Sequence, residues 1–426
     1  MAREYKDSGI EWIGQIPKEW KVLPHKYIMR KKKEIQEHYS GQDIISLSMN
    51  GVIVRDLDAG GKMPLSFDGY QVVYPNNLLL CLFDIDVTPR CVGLIKNFGV
   101  TSPAYSQFVV KEDGYPPYYD YLLRYMDDNK CLLHLSKNLR SSLTETDFGY
   151  IHTCLPPLSE QQKIADYLDK VCGEVDEMIT LQEQMIDELK AYKQSVITEA
   201  VTKGLNPNVL MKDSGIDWIG EIPESWKVVK LSLLTSKIGS GSTPTGGANV
   251  YVSEGVKFLR SQNVYFEGLD LSDVAHITEK IDEEMKGTRV LPGDVLLNIT
   301  GGSIGRCYFV DETLGKANVN QHVSIIRPNN IDTKYLKYSL QSTLGQHQVS
   351  LLQTGGNREG LSAAALSNFK ILLPSKDEQQ SIATYLDRKC AEIDDLIAIK
   401  QSKIEELKEY KKSVIYEYVT GKKEVV

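Results

Sequence analysis

The run EQQKIADYLDKVCGEVDEMI (Glu160–Ile179) returns as EQQSIATYLDRKCAEIDDLI (Glu378–Ile397), and the two copies continue through ELKAYKQSVITEAVT and ELKEYKKSVIYEYVT. Over 43 residues they agree at 24 positions with a constant offset of 218. The shared apolar positions are Ile164/Ile382, Leu168/Leu386, Cys172/Cys390, Val175/Ile393, Ile179/Ile397, Ile186/Ile404, Leu189/Leu407 and Val196/Val414, spaced 4, 4, 3, 4, 7, 3 and 7. That spacing places them on one face of a helix able to pair with another. Ser159, Asp377 and Glu378 supply capping and dipole chemistry at the N-termini, and Gly204 with Pro207, and Gly421, stop the helices. Roughly 40 residues at 1.5 Å each give rods about 60 Å long. Matching stripes predict that the two pair with each other as an antiparallel coiled coil. Cys172 and Cys390 are then small core residues, and Tyr192 and Tyr410 packing residues.

A second echo lies outside the helices. KDSGIEWIGQIPKEWKV (Lys6–Val22) returns as KDSGIDWIGEIPESWKV (Lys212–Val228), identical at 13 of 17 positions with an offset of 206. The chain is therefore two copies of one plan, a globular region followed by a long helix. The boundaries expected are 1–158 and 206–376 for the globular regions, and 159–205 and 377–426 for the helices. Between the copied ends, QVVYPNNLLLCLF, SQFVVKED, GTRVLPGDVLLNITGG and HVSIIRP read as strands bounded by turns, with short helices near Pro117–Asp127 and Asp332–Gln346. The fold class is α+β, used twice with pseudo-two-fold symmetry and with divergent middles. A fixed scaffold carrying two variable recognition surfaces has that pattern.

Composition removes several classes of protein. With 426 residues, two to four domains are the expectation at about 100–200 residues each. The longest apolar run, Leu78–Phe83, is far short of the roughly 18 residues of a membrane span, and MAREYKDSG has no signal-peptide core, so a soluble cytoplasmic protein is expected. Seven cysteines without a C-x-x-C pair argue for reduced thiols and against a zinc site. The net charge of -8 opposes phosphate binding only if it lies on the recognition regions. It does not: residues 1–158 carry 18 basic and 19 acidic groups and residues 204–376 carry 17 of each, whereas residues 159–203 carry 5 basic and 10 acidic.

The motifs of catalysis are missing. GKA at Gly315 and GKK at Gly421 lack the spacing and hydroxyl of a P-loop. GSGSTPTGG (Gly239–Gly247) reads as a loop, and NPN at Asn206 lacks the aromatic of an amino-methyltransferase. Asp84 and Asp86 of FDIDVTPR alternate as exposed strand carboxylates without a nuclease partner, and no G-x-S-x-G elbow occurs. No metal ligands and no catalytic residues are assigned. What remains is a set of polar and basic residues beside glycines, the types that read bases and hold phosphates. In the first region these are Arg30, Lys32, Arg55, Lys62, Arg90, Tyr105, Ser106, Asn138 and Arg140. In the second they are Thr243, Arg260, Gln262, Asn263, Thr300, Ser303, Arg306, Asn320, Gln321, His322, Asn357 and Arg358, with Thr245 and Asn318 nearby.

The paired DSGIEWIGQIPKEW/DSGIDWIGEIPESW and PLSEQQKIADYLD/PSKDEQQSIATYLD motifs, with GSTPTGG, RSQNV, PGDVLLNITGGSIGR and NVNQHVSIIRP in the second region, resemble the specificity subunits of type I restriction-modification enzymes. The first region's SMNGVIVRD, YQVVYPNNLLLCLF and GVTSPAYSQF are similar to the other common form of that family's recognition domain. The resemblance implies two target-recognition domains, each reading one half of a bipartite double-stranded DNA site. It also implies two methyltransferase subunits docked on the helices and separate motor-nuclease subunits, with S-adenosylmethionine, ATP and Mg2+ in those partners and no cofactor in this chain. The helices would then set the spacing between half-sites, which lie roughly 34–36 Å apart when one DNA turn separates them. Two other readings are a nuclease with an unrecognised centre, which would cut plasmid DNA with Mg2+ alone, and a coiled-coil scaffold, which would leave no footprint.

Overall fold

A computed structural model describes residues 3–49, 51–58, 64–88, 90–134, 141–352 and 360–425. The chain forms two compact units, Met1–Glu183 with Ser402–Val426, and Gln184–Gln401. Both cuts fall inside the long helices Leu158–Lys203 and Lys376–Val419, so each unit holds part of both. Among the described residues no helix is long and apolar enough to cross a membrane.

In the first unit the sheet order is Met29–Lys32, Ser106–Val110, Leu78–Leu80, Val92–Leu94, antiparallel throughout. In the second unit it is Thr235–Ser240, Val323–Pro328, Val295–Asn298, Cys307–Phe309, again antiparallel. The middles that diverge in sequence thus share one sheet topology. Its central strands are buried on both faces, as in LLL at 78–80 and VLLN at 295–298, so any apolar residue serves and identity drifts while the ladder persists. A two-stranded ladder joins the start of each globular region to its end, Lys21–Pro24 with His152–Leu155 and Lys227–Lys230 with Lys370–Leu373. The second unit adds a sheet in which Val256–Leu259 runs parallel to Ala317–Val319.

The repeated motifs are the joints between globular part and helix. The first glutamate of each EQQ accepts an indole N–H, Trp20 to Glu160 at 2.9 Å and Trp226 to Glu378 at 3.0 Å, and both indoles are fully buried. The following glutamine is buried and ties down backbone: Gln161 accepts from Tyr115 N at 2.7 Å, and Gln379 from Asp332 N at 2.9 Å. The aspartate of YLD accepts a tyrosine hydroxyl, Tyr121 to Asp169 and Tyr338 to Asp387, each at 2.7 Å. Gly204 and Gly421 take φ of 77° and 70° at the helix ends, where a left-handed residue satisfies the last carbonyls.

Inside each unit the helices pair antiparallel. In the first, Tyr167 meets Tyr418 with ring centroids 4.5 Å apart and Asp176 meets Lys411 at 2.6 Å, so the partner number falls as the first helix advances. In the second, Val196, Ile197, Ala200 and Val201 share a core with Ile382, Ala383, Leu386 and Cys390. Cys172 and Cys390 are buried as expected. Three sequence expectations are corrected. Tyr192 and Tyr410 are 56% and 52% exposed, off the packed face. Asp84 and Asp86 sit on a turn, with Asp84 at φ 47°, because Val87 and Thr88 both donate to its carbonyl. The expected helix near Asp332–Gln346 is split into Thr333–Gln341 and Thr343–Leu352 at Ser342, which is extended.

Candidate nucleic-acid interface

Register carries the second unit's candidate residues to one end of its sheet. Ser240 pairs with Ser324 and Asn298 with Val323, so the loops after Ser240, before Val323, after Asn298 and before Cys307 leave from the same edge. The parallel pair joins them, since Leu259 lies beside Val319 and its carbonyl accepts from Asn320 N at 3.0 Å. Thr243, Arg260 to Asn263, Thr300 to Arg306 and Asn320 to His322 therefore converge from four stretches of chain.

Their hydrogen bonds sort them. Thr243 Oγ1 donates to the Gln321 side-chain oxygen Oε1, Gln321 Nε2 lies 3.0 Å from His322 Nε2, and His322 Nδ1 lies 2.6 Å from Thr300 Oγ1. With the Gln321 amide donating, His322 Nε2 accepts and its Nδ1–H donates to Thr300, which leaves the Thr300 O–H to donate elsewhere. Asn320 is buried and its Oδ1 accepts from His322 N. Close backbone packing holds this strip: a Cβ on Gly241 would be driven into the carbonyl oxygens of Val319 and Asn320. Arg260 and Gln262 both reach Asp273, at 2.6 Å to its carbonyl and 2.7 Å to its carboxylate, and buried Asn263 donates to Asp270 O. Asn318 is buried against Thr288, Asp282 and Met285. These groups are occupied in shaping their own loops. Ser303 lies in a short 3-10 turn whose carbonyl accepts from Arg306 N, and Thr245 is exposed.

Arg306 differs. Among the described arginines of this unit, Arg260, Arg289, Arg327 and Arg388 each have a carboxylate partner, and Arg306 has none. Its guanidinium lies over the ring of Tyr265, 4.9 Å from the centroid. Tyr265 was not singled out in the sequence; an aromatic inside the polar run RSQNVYFEG was the available signal.

In the first unit the corresponding sheet end gathers Lys32, Arg90, Tyr105 and Ser106, because Lys32 pairs with Gln107, Ser106 with Leu80 and Leu80 with Val92. Most are engaged. Lys32 Nζ sits 3.3 Å from the Tyr74 ring centroid and 3.7 Å from Glu34. Arg90 pairs with Asp128 at 2.8 Å and Asp127 at 3.7 Å. Ser106 donates to Glu145 at 2.8 Å, and Lys31 pairs with the same carboxylate. Burial, which pushes the Glu145 carboxyl up, is outweighed by these hydrogen bonds, and it sits below its ordinary range. Tyr105 stacks on Phe83 at 6.3 Å, and burial raises its phenol. Arg30 is exposed mid-strand, and Arg55 is half-buried after the hairpin of Ile45–Ser48 and Gly51–Val54. Lys62, Asn138, Arg140, Asn357 and Arg358 lie outside the described residues.

Residues 223–409 match the family model for the type I restriction modification DNA specificity domain. The type I restriction enzyme MjaVIII specificity subunit of Methanocaldococcus jannaschii is 32% identical over 283 residues, 65% of this chain and 63% of that protein. The putative MjaX specificity subunit of the same organism is 28% identical over 315 residues, covering 72% and 68%. The chain thus spans a little under two thirds of the first of these relatives. A chain solved in a study of complex assembly and conformational transition of the type I R-M system superimposes with a TM-score of 0.69 at 15% identity, over 95% of this chain and 98% of that one, a likeness of fold. With the domain match, the two relatives and the twice-built sheet in agreement, the chain carries a type I restriction modification DNA specificity domain over residues 223–409 and is similar to type I restriction enzyme specificity subunits.

Proposed function

We propose that the chain is the non-catalytic DNA-reading subunit of a type I restriction-modification system, with each unit reading one half of a bipartite double-stranded site. The observation that carries this is the convergence of the second unit's recognition loops on one sheet end, where Arg306 has no carboxylate partner among the described residues. Near-neutral recognition regions suit a reader whose partners supply much of the phosphate grip. Catalysis, with S-adenosylmethionine, ATP and Mg2+, then belongs to methyltransferase and motor-nuclease subunits.

The long helices supply a docking surface for the methyltransferase subunits in this reading. Met178 and Leu181 are exposed in the first unit, and Met185, Leu396 and Ile399 in the second, away from the stripe packed between the helices. Exposed apolar side chains on an otherwise charged helix mark a surface that a protein covers. The chain is to be co-expressed with type I methyltransferase subunits and the methylated adenines mapped by long-read sequencing. A single two-part motif is expected; methylation without any motif, or unassisted cutting of plasmid DNA by the purified chain with Mg2+, would overturn the reading.

A further inference from the structure

Resting on that reading, we infer that Tyr265, Arg306 and Asn298 form a guanine reader within the second unit: Arg306 contacts the base, Tyr265 holds its guanidinium, and Asn298 locks the two loops together. A guanidinium with no carboxylate partner among the described residues keeps its paired N–H donors for a ligand, and guanine, with O6 and N7 side by side in the major groove, matches that fork. Stacking on Tyr265 orients the planar group without consuming those donors.

The loops are built to hold this arrangement. Tyr265 N donates to Gly268 O at 3.0 Å across a tight turn whose flanks, Val264 and Leu269, bridge each other and pack on the core. Asn298 is fully buried at the end of its strand. Its Nδ2 donates to Ser261 O at 2.7 Å, its N donates to Arg306 O at 2.8 Å, and its carbonyl accepts from Gly305 N at 2.8 Å. One residue, through its side chain on one side and its backbone on the other, thus ties the Tyr265 loop to the Arg306 loop. Gly305, at φ 87°, supplies the left-handed turn immediately before Arg306. The first unit offers a contrast, since Arg90 at the same end of its sheet is spent on Asp127 and Asp128.

The test uses the full chain with co-expressed type I methyltransferase subunits on a randomised double-stranded DNA pool, sequencing the bound duplexes. Wild type is expected to enrich a bipartite motif with a guanine in one half. Arg306→Lys and Tyr265→Ala are expected to lose preference at that base pair by about five- to a hundredfold, the worth of one bidentate contact, while the other half-site stays enriched. Tyr265→Phe, which keeps the ring face, is expected to retain the preference, and a merely structural role for the tyrosine would not separate Ala from Phe at a single base. An unchanged motif for Arg306→Lys and Arg306→Ala, or a uniform loss of affinity with the motif intact as a phosphate contact would give, overturns the inference and leaves the DNA-reading function standing. Enrichment of no motif by wild type overturns that function and the inference with it.

Discussion

Lys193 on the first long helix reaches Asp394 on the second at 2.7 Å, and the same contact occurs with the roles exchanged where Asp176 meets Lys411 at 2.6 Å. Each residue stands 218 positions from its counterpart, so one repeated sequence supplies both halves of both ion pairs. Only antiparallel pairing lets a repeat bond to itself in this way, because the acid of one copy must face the base of the other.

These pairs are partly exposed, so their worth is small, about 0–1 kcal/mol each. Lys193→Asp alone is expected to lower stability through like-charge contact with Asp394, and Lys193→Asp with Asp394→Lys to restore most of it. Guanidinium denaturation midpoints of the two single and one double variant measure this. A double variant no more stable than the worse single would show that the contact does not form.

Trp226 is fully buried with its indole N–H on Glu378. Trp226→Ala is expected to cost about 3–5 kcal/mol through the cavity left behind. Glu378→Gln keeps an acceptor and is expected to cost little, whereas Glu378→Ala strands the indole N–H at roughly 1–3 kcal/mol. Thermal unfolding of the three variants should show Trp226→Ala the most damaged, Glu378→Ala next and Glu378→Gln least.

His25 is wholly buried beside Phe148, with ring centroids 4.5 Å apart, and burial lowers its pKa from 6.5 to about 4. The folded state holds the neutral ring, so the stability this adds is complete above pH 6.5 and is lost as pH falls toward 4, to a limit of about 3 kcal/mol. The second copy has buried Leu231 at the corresponding place. His25→Leu is therefore expected to fold and to flatten the decline in stability between pH 6.5 and 4; an unchanged pH profile would assign the decline to other groups.

Gly241 passes against the carbonyls of Val319 and Asn320. Gly241→Ala is expected to displace the Gln321–His322 strip, at roughly 1–3 kcal/mol of overpacking, and to weaken DNA binding while leaving the first half-site's sequence preference intact. Binding titrations against duplexes altered in one half-site at a time separate these effects.

On the helices, Ile399 is 62% exposed, so Ile399→Asp is expected to leave folding nearly unchanged while reducing co-purification of a methyltransferase subunit. Circular dichroism with pull-down yield reads both, and undiminished capture by Ile399→Asp together with Leu181→Asp would place the docking surface elsewhere.

The helices and the repeat were legible because they depend on local periodicity. The EQQ and YLD positions were legible as a repeat but not as joints, since their partners Trp20, Tyr121, Trp226 and Tyr338 lie far away in sequence. Tyr192 and Tyr410 misled because each follows a stripe leucine, Leu189 or Leu407, by three residues, a spacing that nominally shares its face, whereas the tertiary contacts leave them 56% and 52% exposed.

The sequence by itself determined the two-copy plan, the long helices and the family resemblance, all properties of spacing and identity along the chain. Which polar residues remain available for a ligand was decided by the tertiary structure alone. Arg90, Arg260 and Arg306 are equivalent on paper, yet Asp128 and Asp273 occupy the first two, while Arg306, among the described residues, meets the face of Tyr265 and no carboxylate. A hydrogen-bond donor is spent or spare according to which acceptor the fold brings within about 3 Å, and that acceptor comes from a distant strand or loop.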